Sequence, residues 1–200
     1  MKNIVIDNNR VLVDGRPIET QGTSGQAMLT HLYKMCDFAY PKFYKMDSLC
    51  RLGFIATELL LGDKTGVEGD THAIVAIGYS GSLNTDARYC ETICDTDNYF
   101  PSPSVFVYTL ANIVTGEIAI RNKIYGETSS FLVDSYDPTI IVNLLSTAFA
   151  DPGIKTITGG WIDVPPGEKS FSLRFVTVNR DTSHQQIIDF FNQYPVEINR

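Results

Sequence analysis

Pro101-Ser-Pro-Ser-Val-Phe-Val-Tyr-Thr-Leu-Ala-Asn-Ile-Val-Thr-Gly-Glu-Ile-Ala-Ile-Arg121, together with the residues that follow as far as Gly159-Gly160, is the stretch whose reading decides the fold. Ser102 before Pro103 is a helix-start signal: a hydroxyl can cap an orphan N–H, and proline loses nothing at a first-turn position. Val105, Phe106, Leu110, Ile113 and Val114 then recur at roughly helical spacing, with Gly116 placed where a side chain would block close approach. This predicts a buried helix. Beyond Gly126, Ser129-Ser-Phe-Leu-Val-Asp-Ser135 has the apolar middle of a short buried strand. Asp137-Pro138 starts a second helix, with Ile140, Ile141, Leu144, Leu145, Ala148 and Phe149 as its apolar positions and Gly153 just past its end. A strand from Lys155 to Thr158 then runs into Gly159-Gly160, where backbones or a ligand can come close.

Taken outward, the rest of the chain supplies further sheet and helix. Lys2 to Val13 reads as a hairpin turning through Asp7-Asn8-Asn9-Arg10, expected at the edge of the sheet. Thr20 to Ala27 is small and polar but lacks the Gly-Lys-Ser/Thr ending of a phosphate loop, so a plain loop is expected. Asp47 caps a helix carrying Leu49, Leu52, Ala56, Leu59 and Leu60 that stops at Gly62. Thr71 to Gly78 is a continuous apolar run, as in a strand covered on both faces. The loop Ser80 to Asp86 follows it at a strand end, where open α/β sheets place ligands; the plainer reading is a turn with Asn84 or Thr85 opening a helix. Ser170 to Asn179 alternates Phe171, Leu173 and Phe175 with Ser172 and Arg174, predicting a half-exposed strand. Ser183 and Gln186 form a capping-box pattern ahead of a last amphipathic helix.

The fold class is therefore α/β, a mixed sheet sandwiched by helices, with Thr71–Gly78, Ser129–Val133 and Lys155–Thr158 expected at its centre. With no linker or internal repeat, residues 1–200 are expected to form a single domain.

The order Leu110-Ala-Asn112, Gly116, Ile118-Ala-Ile120, Gly126, strand, turn, helix, Gly159-Gly160 resembles the N-terminal half of a β-ketoacyl synthase, of the thiolase-like fold. Lys45-Met46-Asp47 extends the resemblance back to the start of that family's first helix, so it covers residues 45–163. Asn112 and Gly116 match the family's Asn and Gly. The resemblance implies one half of a thiolase-like fold in 1–200, a β-ketoacyl synthase N-terminal-like domain. It also implies a nucleophilic cysteine at the turn before the buried helix, where a helix N-terminus favours thiolate. That turn here reads Asp134-Ser135-Tyr136-Asp137, and no cysteine follows Cys94. His31, His72 and His184 match neither histidine of the family's second half.

The expected function is thus a catalytically degenerate ketosynthase-like protein, an accessory or structural partner in a fatty-acid or polyketide-like pathway. The alternative is an acyl transferase or thioesterase using Ser135 as nucleophile, although the glycines of a Gly-x-Ser-x-Gly elbow are missing. A full-length ketosynthase or an acyl carrier protein is the expected partner. In the family the strand before the cysteine pairs with its counterpart in a second subunit, which makes Phe131, Val133, Asn112 and Gly116 candidate interface residues of a homodimer or heterodimer.

A net charge of −7 argues against nucleic acid or an anionic membrane as partner. Cys36, Cys50, Cys90 and Cys94 show no zinc-ribbon spacing and are expected to be reduced, mostly buried thiols. A site built from Cys90, Cys94 and His72 is the metal alternative, and core packing is preferred. No cofactor or metal is expected. His31 is expected to be a half-buried structural histidine. Asp7 and Asn8 interrupt the amino terminus before any signal-length apolar run develops, so a cytoplasmic location is the default.

Overall fold

The computed structural model describes residues 1–62, 68–97, 99–168 and 170–198. Seven strands, β1 (Lys2–Asp7), β2 (Arg10–Val13), β3 (Arg16–Ile18), β4 (His72–Gly78), β5 (Thr128–Leu132), β6 (Thr156–Asp163) and β7 (Ser172–Asn179), form one mixed sheet in the order β3-β2-β1-β7-β6-β4-β5. β4 runs parallel to both β5 and β6, and all other pairings are antiparallel. Seven α-helices accompany them among the described residues: α1 (Gly25–Met35), α2 (Ser48–Leu61), α3 (Leu83–Glu91), α4 (Pro103–Phe106), α5 (Ile113–Asn122), α6 (Pro138–Ser146) and α7 (His184–Gln193).

The two faces of the sheet carry separate apolar layers because strand side chains alternate. Ile4 and Ile6 of β1, Ile74 of β4, and Leu173 and Phe175 of β7 pack under α1, α2 and α5. Val5, Val75, Ile77, Trp161, Val176 and Val178 pack under α6 and α7. The sandwich is as expected, and so is the fully buried β4.

Local signals produce the elements that the sequence promises. Asp47 Oδ1 accepts the Cys50 N–H at 2.9 Å, and Gly62, at φ 58°, ends α2. Asp137 Oδ1 accepts the N–H groups of Thr139 (2.7 Å) and Ile140 (3.2 Å) at the start of α6. Ser183 and Gln186 make both bonds of the capping box.

Several expectations are corrected. The Lys2–Val13 hairpin is present, but β1 lies inside the sheet against β7, and the edge is taken by β3, where Pro17 blunts it. Ser129–Val133 is not central: among the described residues β5 pairs only with β4 and is the other edge. Gly159-Gly160 does not end its strand, since β6 continues through both glycines to Asp163. β7 is buried on both faces rather than half exposed, because α7 folds back over its second side. Pro103–Asn122 is not one helix: α4 and a short 3-10 turn meet α5 at 98°, and Phe106 and Leu110 are exposed.

Gly116 admits no close neighbour, as a Cβ there would meet nothing within 4 Å. The glycine that permits the α2–α5 approach is Gly53, whose Cβ would lie 2.6 Å from Val114 Cγ2. Cys50 is buried and Cys36 half buried, but Cys90 and Cys94 are exposed, since the face of α3 that carries Cys90 points to solvent. His31 is half buried, as expected. Among the described residues no His, Cys, Asp and Glu side chains form a metal-binding group, and no single helix is long and apolar enough to cross a membrane.

His72 sits at the start of β4, 1% exposed, with Nε2 2.9 Å from Thr158 Oγ1 and, among the described residues, no partner for Nδ1. Burial lowers its pKa to about 4, from 6.5. The folded state therefore binds fewer protons than the unfolded chain, and stability falls as pH drops from 6.5 towards 4. The span corresponds to about 3 kcal/mol. Urea unfolding of the parent and of His72→Gln at a series of pH values should show a flatter acid limb in the variant; equal slopes would remove His72 as the cause.

Candidate interaction surface

The parallel strands β4, β5 and β6 end together, at Gly78, Leu132 and Asp163. The loop after β4 is held there by the Asp163 carboxylate, which accepts the Ser80 and Tyr79 N–H groups at 2.6 and 3.1 Å and the Ser80 hydroxyl at 3.2 Å. Burial raises the pKa of this carboxyl, and the three donors oppose that rise. The group organises the strand ends.

The turn Asp134-Ser135-Tyr136-Asp137 lies just beyond β5. Tyr136 turns inward, its ring edge-on to Trp161 at 5.2 Å, with its hydroxyl 2.9 and 3.1 Å from the carbonyls of Phe191 and Tyr194 at the end of α7. Asp134 and Ser135 face solvent. Among the described residues the Ser135 hydroxyl makes no hydrogen bond, and no histidine bonds to it. His72 is bonded to Thr158, His184 lies 3.1 Å from Ser146 at the far end of α6, and His31 is on α1. The general base that would activate a serine is not in contact with it.

A different feature dominates this side of the molecule. β5 presents one open backbone edge, and Leu132 at its end is 58% exposed. Ser130 Oγ donates to the Ala111 carbonyl at 3.2 Å, and Ser82 Oγ to the Thr109 carbonyl at 2.5 Å, so the α4–α5 bend is laced to the strand ends. Phe106, Val107 and Leu110 on that bend, with Leu83 at the start of α3, are 46–52% exposed. Together with Leu132 they make an apolar surface beside an unpaired strand edge, an arrangement that soluble proteins cover.

No family model and no curated protein matches the chain. Solved structures do. "The ishigamide ketosynthase/chain length factor" matches 68% of this chain with a TM-score of 0.60 at 15% identity. A type II PKS acyl-carrier protein in complex with its ketosynthase bound to the hexaketide (AntDE:AntF) matches 94% with a TM-score of 0.57 at 10% identity. The ketosynthase (ApeO) in complex with its chain length factor (ApeC) from Xenorhabdus doucetiae matches 90% with a TM-score of 0.50 at 13% identity. The fold is ketosynthase-like.

The chain spans 44% of the first of these structures and 65% of the second. At such identities the likeness is one of fold, and activity has to be argued from the site. In this ketosynthase-like fold the residues singled out from the sequence are distributed unevenly. Asn112 is exposed at the N-terminus of α5, and Gly116 lies one turn on. Phe131 and Val133 are partly buried against the layer under α6 and α7, not directed outward. Because side chains alternate along a strand, the outward residue is their neighbour Leu132. Helical spacing along 101–121 predicts one buried helix and so hides the exposed apolar residues of the α4–α5 bend. The signal that could have found them is Leu110-Ala-Asn112 itself, where Asn112 interrupts the apolar run.

Proposed function

We propose that this chain is a non-catalytic ketosynthase-like subunit, residues 1–200 forming one N-terminal-half unit that pairs through β5 with a ketosynthase in a fatty-acid or polyketide-like pathway. The observation that carries this reading is the open edge of β5, flanked by Leu132, Leu110 and Phe106, in a ketosynthase-like fold. The turn beside it holds Asp134 and Ser135 where the resemblance implies a cysteine. Without a thiolate at that turn, and with no histidine among the described residues bonded to Ser135, the reading is that the retained scaffold serves assembly. The solved structures support the pairing by analogy: two of them are named for a ketosynthase with a chain length factor, and one for a ketosynthase with an acyl carrier protein. A cytoplasmic location is part of the proposal.

Sedimentation velocity of the chain alone and mixed with a ketosynthase encoded beside it tests the reading. A 1:1 complex is expected, and Leu132→Arg should weaken it at least tenfold by placing a charge in the contact. A parent chain that ignores the ketosynthase, or a complex indifferent to Leu132→Arg, would overturn it. An acyl carrier protein that binds while the ketosynthase does not would shift the assignment to carrier recognition.

A further inference from the structure

A pocket of about 460 Å³ opens between the 44–51 segment, α3 and α4. Its volume is within the range of small-molecule sites. Lys45, Arg51 and Arg88 line it, in a protein whose net charge is −7.

The charges in this pocket are unbalanced. Asp47 is the one carboxylate among the lining residues, and both its oxygens are used: Oδ1 by the Cys50 N–H, Oδ2 by the Thr85 hydroxyl at 2.9 Å. Glu117 lies behind Tyr108 and is neutralised by Lys42 at 2.7 Å, while the Tyr108 hydroxyl donates to the same oxygen at 3.3 Å. Arg51 donates to the Phe43 and Tyr44 carbonyls and to Gln26 Oε1, all uncharged acceptors. Its guanidinium is held in place, and among the described residues it has no carboxylate partner. Among the described residues neither Lys45 nor Arg88 pairs with a carboxylate. One negative charge inside the wall thus faces three positive ones, and the Ser104 hydroxyl adds a further donor.

Apart from Thr85, the remaining wall is apolar or aromatic, supplied by Tyr44, Met46, Val105 and the ring of Tyr108. We propose that this pocket binds a small phosphate monoester with an apolar body, the dianion held by Lys45, Arg51 and Arg88 and the body lying against the aromatic wall. A dianion answers three cations better than a carboxylate does, and guanidinium groups match phosphate oxygens in geometry as well as charge. The proposal does not depend on the pairing of β5, because none of the lining residues lies on that strand.

Isothermal titration with phenyl phosphate, inorganic phosphate and benzoate tests it. Phenyl phosphate should bind most tightly, inorganic phosphate more weakly for want of the apolar contact, and benzoate most weakly for want of the second charge. Lys45→Gln and Arg88→Gln alter exposed side chains without carboxylate partners, so both variants should melt like the parent while each weakens phenyl phosphate at least fivefold. Raising the salt concentration should weaken binding in the parent more than in either variant. No heat with phenyl phosphate at millimolar concentration, or binding that survives both substitutions, would overturn the proposal. Equal affinity for benzoate and phenyl phosphate would replace the phosphate monoester with a simple carboxylate. Association with the ketosynthase should be the same for Lys45→Gln and parent, which keeps the two readings separable.

Discussion

Replacing Gly159 by valine is expected to leave the chain unfolded at room temperature. Gly159 lies in β6, opposite Val75 of β4 on one side and Val176 of β7 on the other. A Cβ at this position would overlap the Val75 carbonyl and crowd the nitrogen of the same residue. Both obstacles are backbone, so no rotamer change relieves them, and the β4–β6 pairing that joins the parallel strands to the rest of the sheet would have to separate. The cost should exceed about 4–5 kcal/mol, a large share of what a domain of this size has to lose. Gly116→Ala provides the contrast. Nothing stands within 4 Å of a Cβ there, and the position is inside α5, so alanine should stabilise by about 0.5–1 kcal/mol. Circular dichroism with thermal melts of the two variants is sufficient: a Gly159→Val protein melting within a few degrees of the parent would show that β4 and β6 are not in contact as described.

The second large effect is expected in α6. Leu145 is 1% exposed and packs in the layer with Ile141, Val142, Ile187 and Phe190. A carboxylate at 145 would be set among the apolar side chains of that layer, and its desolvation together with the lost packing should cost more than about 4 kcal/mol. Leu144, the residue beside it, is only partly buried, so Leu144→Asp can turn its carboxylate to water and should cost about 1–2 kcal/mol. Urea midpoints of the pair measure the difference directly. Equal losses would mean that the helix presents both positions to the core, and a mild Leu145→Asp would place α6 on the surface.

Those two residues also show where sequence periodicity stops. Ile140, Ile141, Leu144 and Leu145 form one apolar stripe in the sequence, but the buried line in the structure is Ile141, Val142, Leu145 and Ala148, rotated so that Ile140 is 41% exposed. Periodicity identifies a helix and an apolar side; which part of that side meets the sheet depends on where α7 and β6 stand.

The candidate surface follows the same division. That the turn Asp134-Ser135 holds no cysteine was legible, because it is a fact of the chain. Its location was not. The strand 129–133 has the same apolar middle whether one neighbour covers it or two, and β5 became an edge because among the described residues it pairs with β4 alone. Exposure of Phe106 and Leu110 likewise depends on the 98° bend at Leu110–Asn112. The cationic pocket gathers Lys45, Arg51 and Arg88 from segments about forty residues apart, each of which reads alone as an ordinary solvated charge.

What the sequence determined by itself was the set of elements whose cause is local. Asp47, Asp137 and Ser183 cap helices, and Gly62 ends one, because donor and acceptor lie within four residues and meet in any fold that forms that turn. The α/β class follows from the same local punctuation. Only the tertiary structure decided that Gly53 rather than Gly116 is the glycine at the α2–α5 contact, that β7 is covered on both faces, and that Cys90 and Cys94 face water. Each of these depends on what lies across a strand or helix pair from residues distant in the chain, and burial is a property of that packing, not of the side chain.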